Sequence, residues 1–376
     1  MPWPEVSIMS MRREFVMLAG QEGVNRRELC RRYGVSPTTG YKWLGRADAN
    51  PEESFSDRSR RPLRSPARSA ASMEAAVLAL REEHPAWGGR KLRRRLADLG
   101  HAGVPSASTI TEILRRHGRL DLDEIAARTP SQRFEREAPN ELWQMDFKAH
   151  FAIDDGRCHG LSVLDDCSRF ALGLEACPDQ RLDTVTQRLT GIFRRYGLPH
   201  AMLADNGPPW GNRDEESRYT RLEVWLLQLG VPLVHGRPYH PQTQGKDERF
   251  HRTVEAELIG RRRFATLADC QQAFERWRHV YNSERPHEAI GLDTPARRYR
   301  SSPRSFPETL PPVEYPDPIV RKVNATGRIR FAGQGWFVGK AFAAHPVALR
   351  PTLQDGLYDV FFCQQPIANI DLRERP

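Results

Sequence analysis

The sequence predicts a multidomain protein: two all-α helix-turn-helix modules, a central α/β domain on a mixed five-stranded sheet, and a small C-terminal β-barrel. Three observations predict this. Helical periodicity with a basic bias runs through the first third; strands alternate with helices from Asn140 to about residue 300; the remainder is short strands broken by Gly and Pro. A chain of 376 residues has room for two to four domains. The expected division is 1–50, a basic linker over 51–69, 70–118, a connector over 119–137, 138–300, and 313–376.

Composition narrows the class. Hydrophobic residues make up 39% and charged residues 28%, as in soluble globular domains. No apolar run approaches the roughly eighteen residues that span a bilayer, and the N-terminus lacks a signal-peptide core, so a cytoplasmic protein without a membrane partner is expected. The six cysteines are scattered without a C-x-x-C pair and read as reduced, mostly buried thiols rather than a zinc site. The net charge is +9, and residues 1–137 hold 25 Lys/Arg against 18 Asp/Glu, whereas 138–300 hold 23 of each. A basic first third fits a polyanionic partner, with surface solvation as the competing reading. The neutral middle has acids to spare for another use.

In the first module, "RRELCRRYGVSPTTGYKWL" (26–44) has helix-turn-helix spacing. Leu29, Tyr33 and Val35 are the apolar positions, Cys30 is small where two helices touch, and Gly34 makes the turn. Ser36 caps a second helix with Pro37 at its first position. That helix would offer Thr38, Thr39 and Lys42 to a major groove while Trp43 packs inward. Gly40 stands where an apolar core residue is usual, and a three-helix bundle that binds protein is the alternative. The linker "FSDRSRRPLRSPARS" (55–69) cannot build a core. Its Arg58, Arg60, Arg61 and Arg64 suit a phosphate track or a narrow minor groove, unless the segment is simply a solvated spacer. Residues 70–118 then read as three more helices. Pro85 ends the first, "RKLRRR" (90–95), with Arg90 and Lys91, makes a basic face, and Ser106 or Ser108 caps the third.

The middle domain reads strand, strand, strand, helix, strand, helix, strand, helix, helix. Strands fall at 142–153, in "CHGLSVLDDCS", "RFALGLEACP" and "HAMLADNG", and in "PLVHGR"; helices fall at 182–197, 217–230, 245–258 and 267–282. Asp146 lies mid-strand, where a charge needs partners. Asp205 ends a strand just before Asn-Gly, where α/β sheets place ligands. Asp247 and Glu248 are adjacent on the late helix, about 100° apart, so only one can face the sheet. The row Phe250, Val254, Leu258 places Glu248 beside the apolar face and Asp247 nearer solvent. Three carboxylates suit Mg²⁺ or Mn²⁺, and two such ions roughly 3.5–4 Å apart clamp a phosphodiester in line. Strand-end aspartates that merely cap turns are the competing reading, and the same turn-capping role is expected of Asp165 and Asp166.

"WQMDFK", "LADNGPPWG", "PYHPQTQGKDERFHRT" and "YNSERPHEAIGLDTPARRY" together resemble the catalytic core of bacterial insertion-sequence transposases, in the retroviral-integrase superfamily with a ribonuclease H-like fold. The resemblance covers roughly residues 10–300. It implies a metal-binding, catalytic triad of Asp146, Asp205 and Glu248, the glutamate preceding an arginine as in the family. The 43 residues from Asp205 to Glu248 exceed the usual spacing in retroviral integrases, and the loop at 208–221 accounts for the extra length. The resemblance makes 239–245 the loop ahead of the catalytic helix. His240, Gln242, Thr243 and Gln244 would supply donors there, and Gly245 a hinge. Lys246, Arg249 and Arg252 would hold the DNA strand, with helix ion pairs as their competing use. The "Arg-Pro-His" stretch would close the core onto the sheet, and Trp336 is expected to pack as core.

What this implies is a DNA transposase working at the nucleoid. It would bind the ends of its element, expose 3′-hydroxyls and join them to target DNA with two Mg²⁺ or Mn²⁺ ions and no nucleotide cofactor. Pairing two double-stranded ends calls for a dimer or larger assembly on DNA. A non-catalytic DNA-binding regulator and a structure-selective nuclease of the same fold are the alternatives.

Overall fold

The computed structural model describes residues 7–49, 55–57, 68–120, 135–207, 209–211, 218–235 and 245–373. Arg58, Arg60, Arg61 and Arg64, most of the 119–137 connector, and His240, Gln242, Thr243 and Gln244 lie outside the described residues. The chain divides into two compact units, residues 1–68 and 69–376.

The first unit is three helices: α1 (Ile8–Ala19), α2 (Arg26–Arg32) and α3 (Pro37–Ala49). Each starts where a side chain can satisfy an orphan backbone N–H. Ser7 and Asn25 accept from Ser10 and Glu28, and Ser36 Oγ accepts from Thr39 N at 3.2 Å. Gly34 takes the left-handed conformation (φ 63°) that turns the chain between α2 and α3. Phe15, Ala19, Leu29, Cys30 and Trp43 are buried between the helices. Gly40 is there because nothing larger fits. A Cβ would stand 2.5 Å from Cys30 Sγ and 2.9 Å from the Phe15 ring, so α3 crosses its neighbours at glycine.

The second unit begins with α4 (Ala71–Glu83), α5 (Gly89–Asp98) and α6 (Ala107–Arg116), packed around Val77, Leu80, Trp87, Leu92, Leu96, Ile110, Ile113 and Leu114. Ser106, not Ser108, caps α6 and accepts from Thr109 N. Leu92 and Leu96 are one turn apart, so α5 turns one face to this core and its arginines away from it. Those arginines meet acids of the neighbouring domain. Arg95 pairs with Glu284, and Arg90 and Arg94 approach Glu288 and Asp293 at 3.7 and 3.9 Å.

A five-stranded mixed sheet follows, ordered β3-β2-β1-β4-β5. The strands are β1 (Trp143–Ile153), β2 (Gly156–Asp165), β3 (Ala171–Cys177), β4 (Met202–Ala204) and β5 (Leu233–His235). The first three form an antiparallel meander; β4 pairs parallel with β1, and β5 parallel with β4. Strand alternation divides β1 between two cores. Trp143, Met145 and Phe147 join the apolar cluster shared with α7 (Leu182–Tyr196) and α8 (Arg221–Gln228). Gln144, Asp146 and Lys148 therefore face α9 (Gly245–Glu257) and α10 (Leu267–Ser283), whose Phe250, Val254, Phe274 and Trp277 cover the other side. The Arg285-Pro286-His287 stretch locks this layer. Arg285 Nε donates to Glu257 Oε1 at 2.9 Å, and His287 Nε2 lies 3.2 Å from the Tyr281 carbonyl. A one-turn helix, α11 (Pro295–Arg298), ends the domain.

The C-terminal part departs from the expected closed barrel. Strands β6 (Val320–Lys322), β9 (Pro346–Pro351), β10 (Leu357–Phe362) and β11 (Gln365–Asp371) make an open sheet ordered β11-β10-β9-β6. The hairpin β7 (Arg328–Phe331) and β8 (Gln334–Phe337) is a separate two-stranded sheet. Among the described residues no sheet closes on itself. The hairpin folds over the sheet face instead of extending its edge, and Ile329 and Trp336 enter the core with Val347, Leu349, Val360 and Phe362. Trp336 is thus a core residue, and its Nε1–H donates to the Phe331 carbonyl at 3.1 Å. Val224 and Leu227 of α8 belong to the same cluster, which docks this sheet on the central domain. No described helix is long and apolar enough to cross a membrane.

Candidate active site

Register brings the two aspartates together. In the parallel pair β1/β4, Trp143 lies opposite Met202 and Gln144 opposite Leu203. The same offset carried two residues further brings Asp146 level with Asp205, one residue beyond the end of β4. Their charges interact. Burial first, then Asp205 and also Glu248, push the Asp146 carboxyl up to about 6. Asp205 lies one residue past the end of β4, where its Oδ1 accepts the Gly207 N–H at 3.0 Å.

Helix α9 carries the candidates for a third acid, and here the face argument from sequence is overturned. Glu248 is exposed, and Asp247 is 2% exposed. The reason is helical drift: Asp247 lies three residues before Phe250 and seven before Val254, hence on the buried row itself. Stepping back from Phe250 by fours lands on Lys246 and misplaces the row by a third of a turn. Burial, then Asp146 and Asp166, hold the Asp247 carboxyl well above the usual range, and among the described residues its Oδ1 has no hydrogen-bond partner. Glu248, on the exposed side of the helix, still adds to the charge that raises Asp146.

Lys246 does not extend toward solvent. Its side chain is 15% exposed and its Nζ donates to Asp166, a fully buried carboxylate that also accepts from Gln144 Nε2 and Arg136 N. Arg249 and Arg252 lie on the exposed side of α9. Gly245 is the first residue of α9, with open space where a Cβ would stand. Asp165 does cap the turn, accepting from Asn140 N, Ser168 N and Ser168 Oγ.

Two histidines not singled out in the sequence complete the surroundings. His251 Nε2 lies 2.8 Å from Ser162 Oγ, which donates to the Asp146 carbonyl, and its Nδ1 lies 3.7 Å from Asp146 Oδ2. Burial, aided by Lys148, pushes His251 down to about 4. His235, the last residue of β5, lies between the Asp205 carbonyl and Glu223. The available signal was spacing: His251 is one turn beyond both Asp247 and Glu248.

In the helical modules, Ser36 and Thr39 are engaged with each other at the cap, hydroxyl to hydroxyl at 2.9 Å, while Thr38 and Lys42 are exposed. Arg90 stays largely exposed beside Glu288, and Lys91 is half-buried.

Among the described residues, no set of three His, Cys, Asp or Glu side chains is already arranged to hold a metal ion. The donors nonetheless suit a hard divalent cation. They are carboxylates, and the repulsion that raises Asp146 is what such a cation would remove.

The chain matches the model "IS481 family transposase, C-terminal domain" over residues 319–376 and "Integrase core domain" over 136–241 and 229–295. It also matches a homeodomain-like domain over 39–114 and a helix-turn-helix domain over 11–62. "Insertion element IS407 uncharacterized 31.7 kDa protein" of Burkholderia multivorans is 28% identical, covering 46% of this chain and 62% of that protein. "Insertion element IS476 uncharacterized 39.2 kDa protein" of Xanthomonas euvesicatoria is 27% identical, covering 63% and 66% respectively. The chain thus spans a little under two thirds of the length of these relatives. A chain of a simian T-cell lymphotropic virus intasome solved in complex with PP2A regulatory subunit B56 gamma overlays with a TM-score of 0.39 at 13% identity, covering 79% of this chain and 96% of that one. From its integrase-type core to its IS481-type C-terminus, the chain is similar to the insertion-sequence transposases.

Proposed function

We propose that the protein cleaves the ends of its own mobile element to leave 3′-hydroxyls and joins them to target DNA by direct transesterification. The observation that carries this reading is the placement of Asp146 on β1 and Asp205 just past the end of β4, the strand parallel to it, near enough for their charges to interact, with Glu248 also bearing on Asp146. Asp146, Asp205 and Glu248 would hold two Mg²⁺ or Mn²⁺ ions. Bound there, the ions supply Lewis acidity, activating the attacking hydroxyl and stabilising the leaving oxyanion. The chain's own part is placement. The sheet fixes Asp146, Asp205 follows directly on the end of β4, and α9 would present Glu248 to DNA from its exposed side. Arg249 and Arg252 lie on that exposed side, where cations hold a phosphodiester backbone. Lys246 supports the site from within, through Asp166.

The helix-turn-helix of residues 1–50 would read the element end with α3, offering Thr38 and Lys42, with Ser36 and Thr39 shaping its start. Residues 51–69 would track phosphates and 70–118 would add a second contact. Two ends must be paired, so the acting form is a dimer or larger assembly on double-stranded DNA, at the nucleoid.

The test is an element-end duplex incubated with protein and Mg²⁺, followed by a joining assay with a pre-cut 3′ end. Asp205→Asn and Glu248→Gln should abolish nicking and joining and leave end binding intact. Cutting without joining identifies a nuclease, and binding without either identifies a regulator. An active Glu248→Gln beside an inactive Asp247→Asn would move the third ligand to Asp247.

A further inference from the structure

Asp205 stands outside β4, on a turn that enters an Asn-Gly sequence, and strand pairing alone does not hold it. Its carbonyl lies 2.8 Å from His235 Nδ1. A carbonyl can only accept, so Nδ1 carries the proton. The other nitrogen, Nε2, lies 3.1 Å from Oε1 of Glu223, a carboxylate only 4% exposed. A carboxylate likewise accepts, so Nε2 donates to it. The second Glu223 oxygen accepts the Thr220 N–H, closing the capping box that starts α8.

The neighbouring residues of α8 are anchored elsewhere. Val224 and Leu227 are buried in the core of the C-terminal sheet. Just before the helix, Tyr219 packs edge-on against Phe342, with ring centroids 5.2 Å apart. One helix start therefore touches both the C-terminal sheet and, through a single imidazole, the backbone of Asp205.

We propose that His235 is a positioning residue for Asp205, and that the Glu223–His235 bridge makes the docking of the C-terminal sheet on α8 part of what holds that aspartate in place. This rests on the reading of Asp205 as a metal ligand, and it adds a route by which the C-terminal sheet governs the site. Partners that orient ligating carboxylates typically change metal affinity 10–100-fold when removed.

Three variants of the full chain test it: His235→Leu, which removes both donors; Glu223→Gln, isosteric and the safer for folding; and His235→Asn, whose amide keeps a donor near the Nδ1 position. Hydrogen–deuterium exchange of the peptide spanning 203–207 reports on the bridge without reference to catalysis. Manganese titration of the DNA-free protein, followed by electron paramagnetic resonance, reports on the site. His235→Leu and Glu223→Gln should speed exchange of that peptide and weaken Mn²⁺ binding by about 10-fold or more. End binding should be unchanged, and His235→Asn should recover most of the Mn²⁺ affinity. Unchanged exchange in both variants, or faster exchange with wild-type Mn²⁺ affinity, overturns the proposal. If the wild type binds no Mn²⁺ while exchange responds as expected, the metal-dependent reading of the protein fails and the bridge itself stands.

Discussion

Replacing Asp146 by asparagine should make the metal-free protein more stable while abolishing its activity. The carboxyl stands at about 6 in the fold against 3.8 in the unfolded chain, raised by burial, Asp205 and Glu248. Between these values the folded protein binds more protons than the unfolded one, so stability falls as pH rises from about 4 to 6. Above that window the ionised group costs its full amount. Two units correspond to about 3 kcal/mol, and with the side chain 30% exposed, solvent screening reduces this to roughly 1–2 kcal/mol. Asparagine keeps the shape and removes the repulsion. Thermal melts in EDTA at pH 7.5 should show Asp146→Asn melting about 2–5 °C above wild type. At pH 4 the advantage should vanish, because the wild-type acid is then protonated. A variant that gains nothing at pH 7.5, or gains equally at pH 4, would refute the view that this site stores electrostatic repulsion for a cation to relieve. The trade is the expected one at a functional site.

Three further outcomes can be checked by melting and binding. Lys246→Met leaves the buried Asp166 carboxylate without its cation and should cost about 2–4 kcal/mol, partly recovered by adding Asp166→Asn. An unchanged melt with weaker, less salt-sensitive DNA binding would instead return Lys246 to the phosphate-holding role. Gly40→Ala drives a Cβ into Cys30 and Phe15 and should destabilise the first helical unit by about 1–3 kcal/mol, with loss of end binding; Cys30→Ala in the same chain should recover part of it. Arg95→Glu should lower the melting temperature by opposing Glu284, and the exchanged pair Arg95→Glu with Glu284→Arg should restore it, the coupling read from the double-mutant cycle.

Much of the architecture could be read along the chain because it is decided locally. Alternation in "LWQMDFKAHFAI", the Ser36 and Ser106 caps, and the apolar rows of α7 and α10 depend on residues a few positions apart. The two aspartates were conspicuous for the same reason: a charge inside a strand and one at a strand end are local anomalies. What the sequence could not decide is which distant group each side chain meets. Asp247 and Glu248 differ by 100° on one helix; the spacing to Phe250 and Val254 places Asp247 on the buried row, but that it meets Asp146 and Asp166 there is decided by packing. The partners of the basic row of α5, Glu284, Glu288 and Asp293, lie some two hundred residues away in sequence and could not be read from the row itself. The expected barrel opened into a sheet and a hairpin because strand count says nothing about which edges pair. His235 and His251 acquire partners only once β5 lies beside β4 and α9 crosses the sheet. Periodicity, caps and turns come from short-range sterics and hydrogen bonding along the chain. Partners, registers and ion pairs come from long-range packing, and there the tertiary structure alone decides.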